Sequence, residues 1–167
     1  MMNLRGWWLV DMANIVNDTS VKQSVVPISE QMLLVNYIIE LVKKSGIFEN
    51  LDVKLNFLSS DKDCICIRLF DDATKLHEYV DGSYEAQIRF SLIYRRLSVN
   101  GVSERVNAID IINQFGMYCD KIEDFEFDND MIYVNTITQQ TNAGLVYRDN
   151  SGIEDNSANF VLRYDKN

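Results

Sequence analysis

The chain is poor in the residues on which most enzyme chemistry is built. Its 167 residues include one histidine, His77, one proline, Pro27, and three cysteines, Cys64, Cys66 and Cys119. A small, odd number of cysteines excludes a disulfide framework and fits a reducing compartment. Cys64 and Cys66 lie two apart in a strand-like run and share a face. With one histidine in the chain, a four-ligand metal site has too few ligands, so both thiols read as packing groups. A histidine-based triad would have to use His77, which sits in LFDDATKLHEYV among acids. No G-x-S-x-G, Walker or G-x-G-x-x-G run occurs, so neither a nucleophile elbow nor a nucleotide cofactor is expected.

Long apolar runs are missing too. No stretch approaches the ~20 apolar residues of a membrane-spanning helix, and no membrane partner is expected. The opening MMNLRGWWLVDMANIV has a single Arg5, an early Asp11 and no small-residue cleavage site, and does not read as a signal peptide. Basic residues are outnumbered 16 to 25, for a net charge of -9. Such a chain repels phosphate backbones, so no specific nucleic-acid partner is expected.

What is present is enough apolar residues, 47%, for one domain with a core of its own. Residues 1–28 read as an N-terminal segment with a short amphipathic helix, since Trp7, Trp8, Leu9, Met12, Ile15 and Val16 fall at helical spacing. Residues 29–167 read as a single domain. Its first element is a helix capped by Ser29, with Ile28 and Leu33 as a hydrophobic staple and Gly46 as the stop. That helix is apolar on most sides and should be buried on most sides, under the N-terminal segment or another subunit.

LDVKLNF and CICIRLF alternate as strands and, joined by SSDKD, read as an antiparallel hairpin. Asp71 to Asp81 reads as a loop. Then GSYEAQIRFSLIYRRLSV alternates from Tyr84 to Tyr94 and changes phase at Arg95-Arg96, where a bulge would restore the register. A second helix follows over 103–122, capped by Ser103, with Gly116 letting something approach closely. The rest reads as strands in MIYVNTITQQT, GLVYR and ANFVLRY. The fold class is α+β, a mainly antiparallel sheet with a long central strand and two helices packed on one face.

The sixteen residues from Tyr84 to Val99 extend roughly 50 Å at ~3.3 Å per residue. The other strands are shorter, so one end should overhang the domain, and such an edge invites a partner. The interface candidates are therefore Tyr84, Arg89, Tyr94, Arg95 and Arg96, types enriched at protein interfaces. Trp7 and Trp8 join them, because two adjacent tryptophans cannot both point inward on one element. The acids Asp124, Glu126, Asp128 and Asp130 alternate with Phe125 and Phe127 and read as the wet face of a strand rather than a calcium loop. No catalytic, cofactor-binding or metal residue is assigned. An enzyme site could draw only on His77, Asp71, Asp72 and Glu78.

The capped helix SEQMLLVNYIIELVKK, the strands LDVKLNF and CICIRLF, the DGSYEAQIRFSLIYRR strand and the helix SERVNAIDIINQF together resemble a family. They look like the minor capsid or tail terminator (tail completion) proteins of long-tailed bacterial viruses and prophages, over about residues 29–165. The resemblance implies a structural virion protein, not an enzyme, assembled in the bacterial cytoplasm and placed at the head–tail junction. It implies a ring, often a hexamer, that contacts itself, the tail tube protein and the head–tail connector protein, and stops tube growth. On that reading, reversing Arg95 and Arg96 weakens the ring and spares the fold. The alternative is a small non-catalytic adaptor or ligand-binding domain.

Overall fold

A computed structural model describes residues 25–71, 73–97 and 102–167, with the side chain of Val102 left aside. The reading of residues 1–24, Trp7 and Trp8 included, lies outside the described residues, as do Asp72 and Val99. The order is α1 (Ile28–Lys44), β1 (Asp52–Leu55), β2 (Cys64–Leu69), β3 (Thr74–Glu78), β4 (Tyr84–Arg96), α2 (Val102–Asp120), β5 (Ile132–Gln139), β6 (Gly144–Arg148) and β7 (Glu154–Lys166). Two helices and one seven-stranded, mostly antiparallel sheet make an α+β fold.

The long strand does not overhang. β7 pairs with β4 residue for residue, from Tyr84↔Lys166 to Arg96↔Glu154. On the opposite edge β2 lies against Phe90–Arg95 and β3 against Tyr84–Gln87. Between them the Phe70 N–H donates to the Arg89 carbonyl at 3.1 Å. The expected overhang fails because the chain holds a second 13-residue strand. The first residues of β7, Glu154, Asp155 and Asn156, are polar but buried. Nor is there a bulge at Arg95-Arg96, where the β4–β7 register is continuous. The apparent change of phase arises because Ser91 through Tyr94 are buried on both faces.

Two further expectations are corrected. β1 and β2 are parallel, Asp52↔Cys64 to Leu55↔Ile67. Alternation alone does not set strand direction, and SSDKD lacks the glycine pair of a tight hairpin. Asn56 takes a left-handed φ of 52°, and residues 56–63 carry the chain back to the start of β2. There the Ser59 N–H donates to Cys64 Sγ at 3.3 Å. The stretch expected as a loop around His77 contains β3, a strand at the sheet margin whose last three residues face solvent.

α1 starts one residue before the expected cap. Pro27 holds the cap position, and its carbonyl accepts from the Glu30 and Gln31 N–H groups, both at 3.1 Å. Ser29 lies inside the first turn and Ile28 is exposed, so the predicted cap and staple do not form. Gly46, at φ 68°, ends the helix as expected. Only one stripe of α1 is buried, while Met32 and Leu33 face outward. Val25 and Val26 belong to the domain: Val26 is core, and Val25 bridges Thr74. α2 begins at Val102, so Ser103 is in its first turn rather than at its cap. The acidic run after it is not a strand, although Phe125 is buried between exposed acids.

The even-numbered side chains of β4 and β7 form the row on which the core is built. Phe90 stacks on Phe160 at 5.4 Å, and Phe115 of α2 meets Phe160 edge-on at 5.6 Å. From α1, the buried Glu30 carboxylate accepts two phenol hydrogen bonds, from Tyr84 and Tyr164, each at 2.7 Å. Burial first, and then these bonds, push both phenols well above the usual tyrosine value. Gly116 of α2 admits Gln139, whose Nε2 donates to Asn113 Oδ1 and the Thr141 carbonyl, both at 2.7 Å.

Glu30→Ala strands two buried hydroxyls and should cost roughly 2–4 kcal/mol, read as a lowered urea midpoint. Because both phenols are held neutral in the fold, their contribution is present at neutral pH. It is lost as pH rises above about 10, where the unfolded phenols ionise. A 295 nm titration should show these two ionising only as the protein unfolds. Gly116→Ala would gain ~1 kcal/mol in an open helix. Here the new methyl displaces Gln139, and the midpoint should fall instead.

Candidate interface surfaces

The interface candidates separate once placed. Tyr84 and Tyr94 belong to the core row, each 7% exposed, and have no surface to offer a neighbour. Arg95 is also committed internally. Its Nε and Nη2 grip both carboxylate oxygens of Asp155, at 2.7 and 2.8 Å, and Nη1 donates to the Ser59 carbonyl at 3.2 Å. The guanidinium thus ties β4, β7 and the 56–63 segment together. Arg96 donates to the Glu104 carbonyl at 3.0 Å and lies 3.7 Å from Asp63. Arg89 is the surface member of the set, more than half exposed and paired with Asp71.

A buried polar cluster surrounds the start of β7. The fully buried Glu154 receives Arg105 at 2.7 Å and Arg148 at 3.2 Å. Glu154 Oε2, Arg96 Nε and both polar side-chain atoms of Asn156 are buried there without a hydrogen-bond partner. The thiols are packing groups. Burial raises Cys66 and pushes Cys119 up to about 12, so both are protonated at neutral pH. Of the residues weighed for an enzyme site, those described have separate partners: His77 meets Tyr79 edge-on, Glu78 pairs with Lys75, and Asp71 pairs with Arg89. Among the described residues no group of three or more His, Cys, Asp or Glu is placed to hold a metal ion.

The apolar surface that the sequence reading missed lies at the sheet margins. Among the described residues β6 pairs on one side only, and the outer side of β3 is met by a single bridge, Val25 to Thr74. Each carries a bulge, which leaves Leu76 in β3 and Val146 in β6 without a register partner. Leu76, Tyr79 and the fully exposed Val80 cluster at the β3–β4 hairpin. Leu145, Val146 and Tyr147 are three consecutive exposed residues of β6. Across the sheet the order is β3, β4, β7, β6, so these patches sit on opposite edges.

A third surface is a groove of about 420 Å³ between α1, the end of α2 and residues 124–128. Its floor includes Leu33, Tyr37, Ile122, Phe125 and Phe127, with Tyr37 edge-on to Phe127 at 5.0 Å. Burial pushes the Tyr37 phenol up to about 12. Glu40, Asp124, Glu126 and Asp128 line the rim, with Lys44 the cation among the lining residues.

No protein-family model matches the chain, and a search of curated proteins returns no match.

Arg95→Glu places a second carboxylate against the nearly buried Asp155. Breaking such a pair should cost roughly 3–5 kcal/mol. The expected outcome is therefore a lost or strongly weakened fold by circular dichroism and urea melting, not a folded protein that fails to assemble. Arg89→Glu, at the surface, should leave the melt within about 0.5 kcal/mol of the parent.

Proposed function

We propose that this chain is a non-catalytic structural protein of long-tailed bacterial viruses or prophages. It acts as a tail terminator or minor capsid component that forms a ring at the head–tail junction. The observation that carries this reading is the pair of exposed apolar patches on opposite sheet edges, Leu76/Tyr79/Val80 and Leu145/Val146/Tyr147. A head-to-tail ring needs two different surfaces on each subunit, facing away from one another, so that every copy is satisfied when the ring closes. Exposed aromatic and aliphatic side chains are the material of such contacts. The bulges at Leu76 and Val146 disfavour strand addition across the edge, so neighbours meet through side chains.

The element order adds weight. The passage DGSYEAQIRFSLIYRR and the helix after it, on which the family resemblance rests, are a 13-residue strand followed by a 19-residue helix. In the ring, tube growth stops by surface replacement. The subunits bind the last tail tube ring and present the head–tail connector with a face to which no further tube subunit adds. The net charge of -9 repels DNA phosphates, which suits a passage through which DNA slides.

Native mass spectrometry with two exposed charge insertions, Val80→Lys and Val146→Lys, tests the ring. The wild type should give one closed oligomer and each variant a folded monomer. An equimolar mixture of the two should give a heterodimer, because one intact contact is left. A wild type that stays monomeric at high concentration would overturn the ring. A closed ring that leaves the ends of tail tubes bare in electron micrographs would overturn the terminator role.

A further inference from the structure

The groove between α1 and the acidic segment after α2 has the chemistry of a peptide site. Its floor is aromatic and aliphatic, its volume of about 420 Å³ lies in the range of real binding sites, and its rim is acidic, with Asp124, Glu126 and Asp128 beside Lys44 and a Glu40 that pairs with Lys43 at 2.8 Å. Large apolar anchors flanked by a cation are what such a surface selects. The chain itself contains such a stretch. Leu4-Arg5-Gly6-Trp7-Trp8-Leu9 has four large apolar residues, one cation and no acid.

Reach permits the contact within one subunit. Sixteen residues lie between Trp8 and Val25, making seventeen residue-to-residue steps. Extended, they span up to about 56 Å. Val25 is pinned beside Thr74, and Val26 donates to the Ala73 carbonyl at 3.1 Å, next to the start of α1. The whole of α1 is about 26 Å long, so every part of the groove is within range of the tether. A tether of this length holds its end at an effective millimolar concentration, which favours the groove of the same subunit over that of another.

We propose that the Trp7–Trp8 stretch docks in this groove of its own subunit. The indoles fill the apolar floor, and Arg5 sits over the acidic rim. This covers the outward face of α1 at Leu33 and seals the end of α2. The proposal is independent of the ring, because it concerns a helix surface and not the β3 and β6 edges.

Intrinsic fluorescence tests it directly, since Trp7 and Trp8 are the chain's two tryptophans. The full-length protein should show blue-shifted emission shielded from acrylamide. Leu33→Glu should shift the emission to the red and remove the shielding, with far-ultraviolet circular dichroism unchanged. The exposed double reversal Asp124→Lys/Glu126→Lys should do the same in part, and it decides the matter if Leu33→Glu fails to fold. Emission of a solvent-exposed indole in the wild type would overturn the proposal. So would shielding that survives both groove variants, which places the indoles elsewhere. Shielding that disappears on dilution would assign the stretch to a second copy and overturn docking within one subunit. The Val146→Lys monomer should keep the shielding, so failure of the ring and failure of the docking give different results.

Discussion

Everything in this molecule is arranged around one uninterrupted ladder, the 13-residue antiparallel pairing of β4 with β7. It sets two faces at once. The even-numbered row takes Glu30 from α1 and Phe115 from α2. The odd-numbered row is held by cross-strand polar pairs, such as Ser91 with Asn159 and Arg95 with Asp155. A slip of β7 by one residue against β4 would turn Asp155 toward the core and the aromatic row of β7 away from it. The charged clamp and the aromatic row therefore enforce the same register from opposite sides.

Much of this was legible from the residues. The helix ended by Gly46, the close approach at Gly116, the α+β class and the packing role of the cysteines follow from periodicity, left-handed backbone demands and cysteine arithmetic. The failures share a physical cause. Glu154, Asp155 and Asn156 look like loop residues because burial of such side chains depends on partners that arrive from elsewhere, Arg95, Arg105 and Arg148 among them. With DNSGIEDNS read as a polar loop, only ANFVLRY is left as the last strand, too short to pair the whole of β4, and an overhang is expected.

The same ambiguity affected the surface. Arginine and tyrosine are enriched at interfaces because they combine apolar bodies with directional polar ends. That combination serves equally well inside a subunit, where Arg95 joins three segments and Tyr84 reaches a buried carboxylate. GLVYR reads as a strand, but its exposure is not readable from it, because the bulge at Val146 is a property of the pairing with β7 rather than of the five residues themselves.

The central position of β7 bears on how the protein is made. β4 and β7 pair across roughly 60 to 80 residues of intervening chain, a separation that slows folding. A ribosome releases β4, α2, β5 and β6 before the strand that joins them exists. Through that interval Phe90 lacks the Phe160 ring that stacks on it, and the β7 edge of β4 is open to chaperones and to misassembly. The sheet can close only when β7 takes its place between β4 on one side and β5 and β6 on the other. Loss of the last few residues of that strand would unpair the ends of β4 and β5 together, where trimming β1 would remove only an edge.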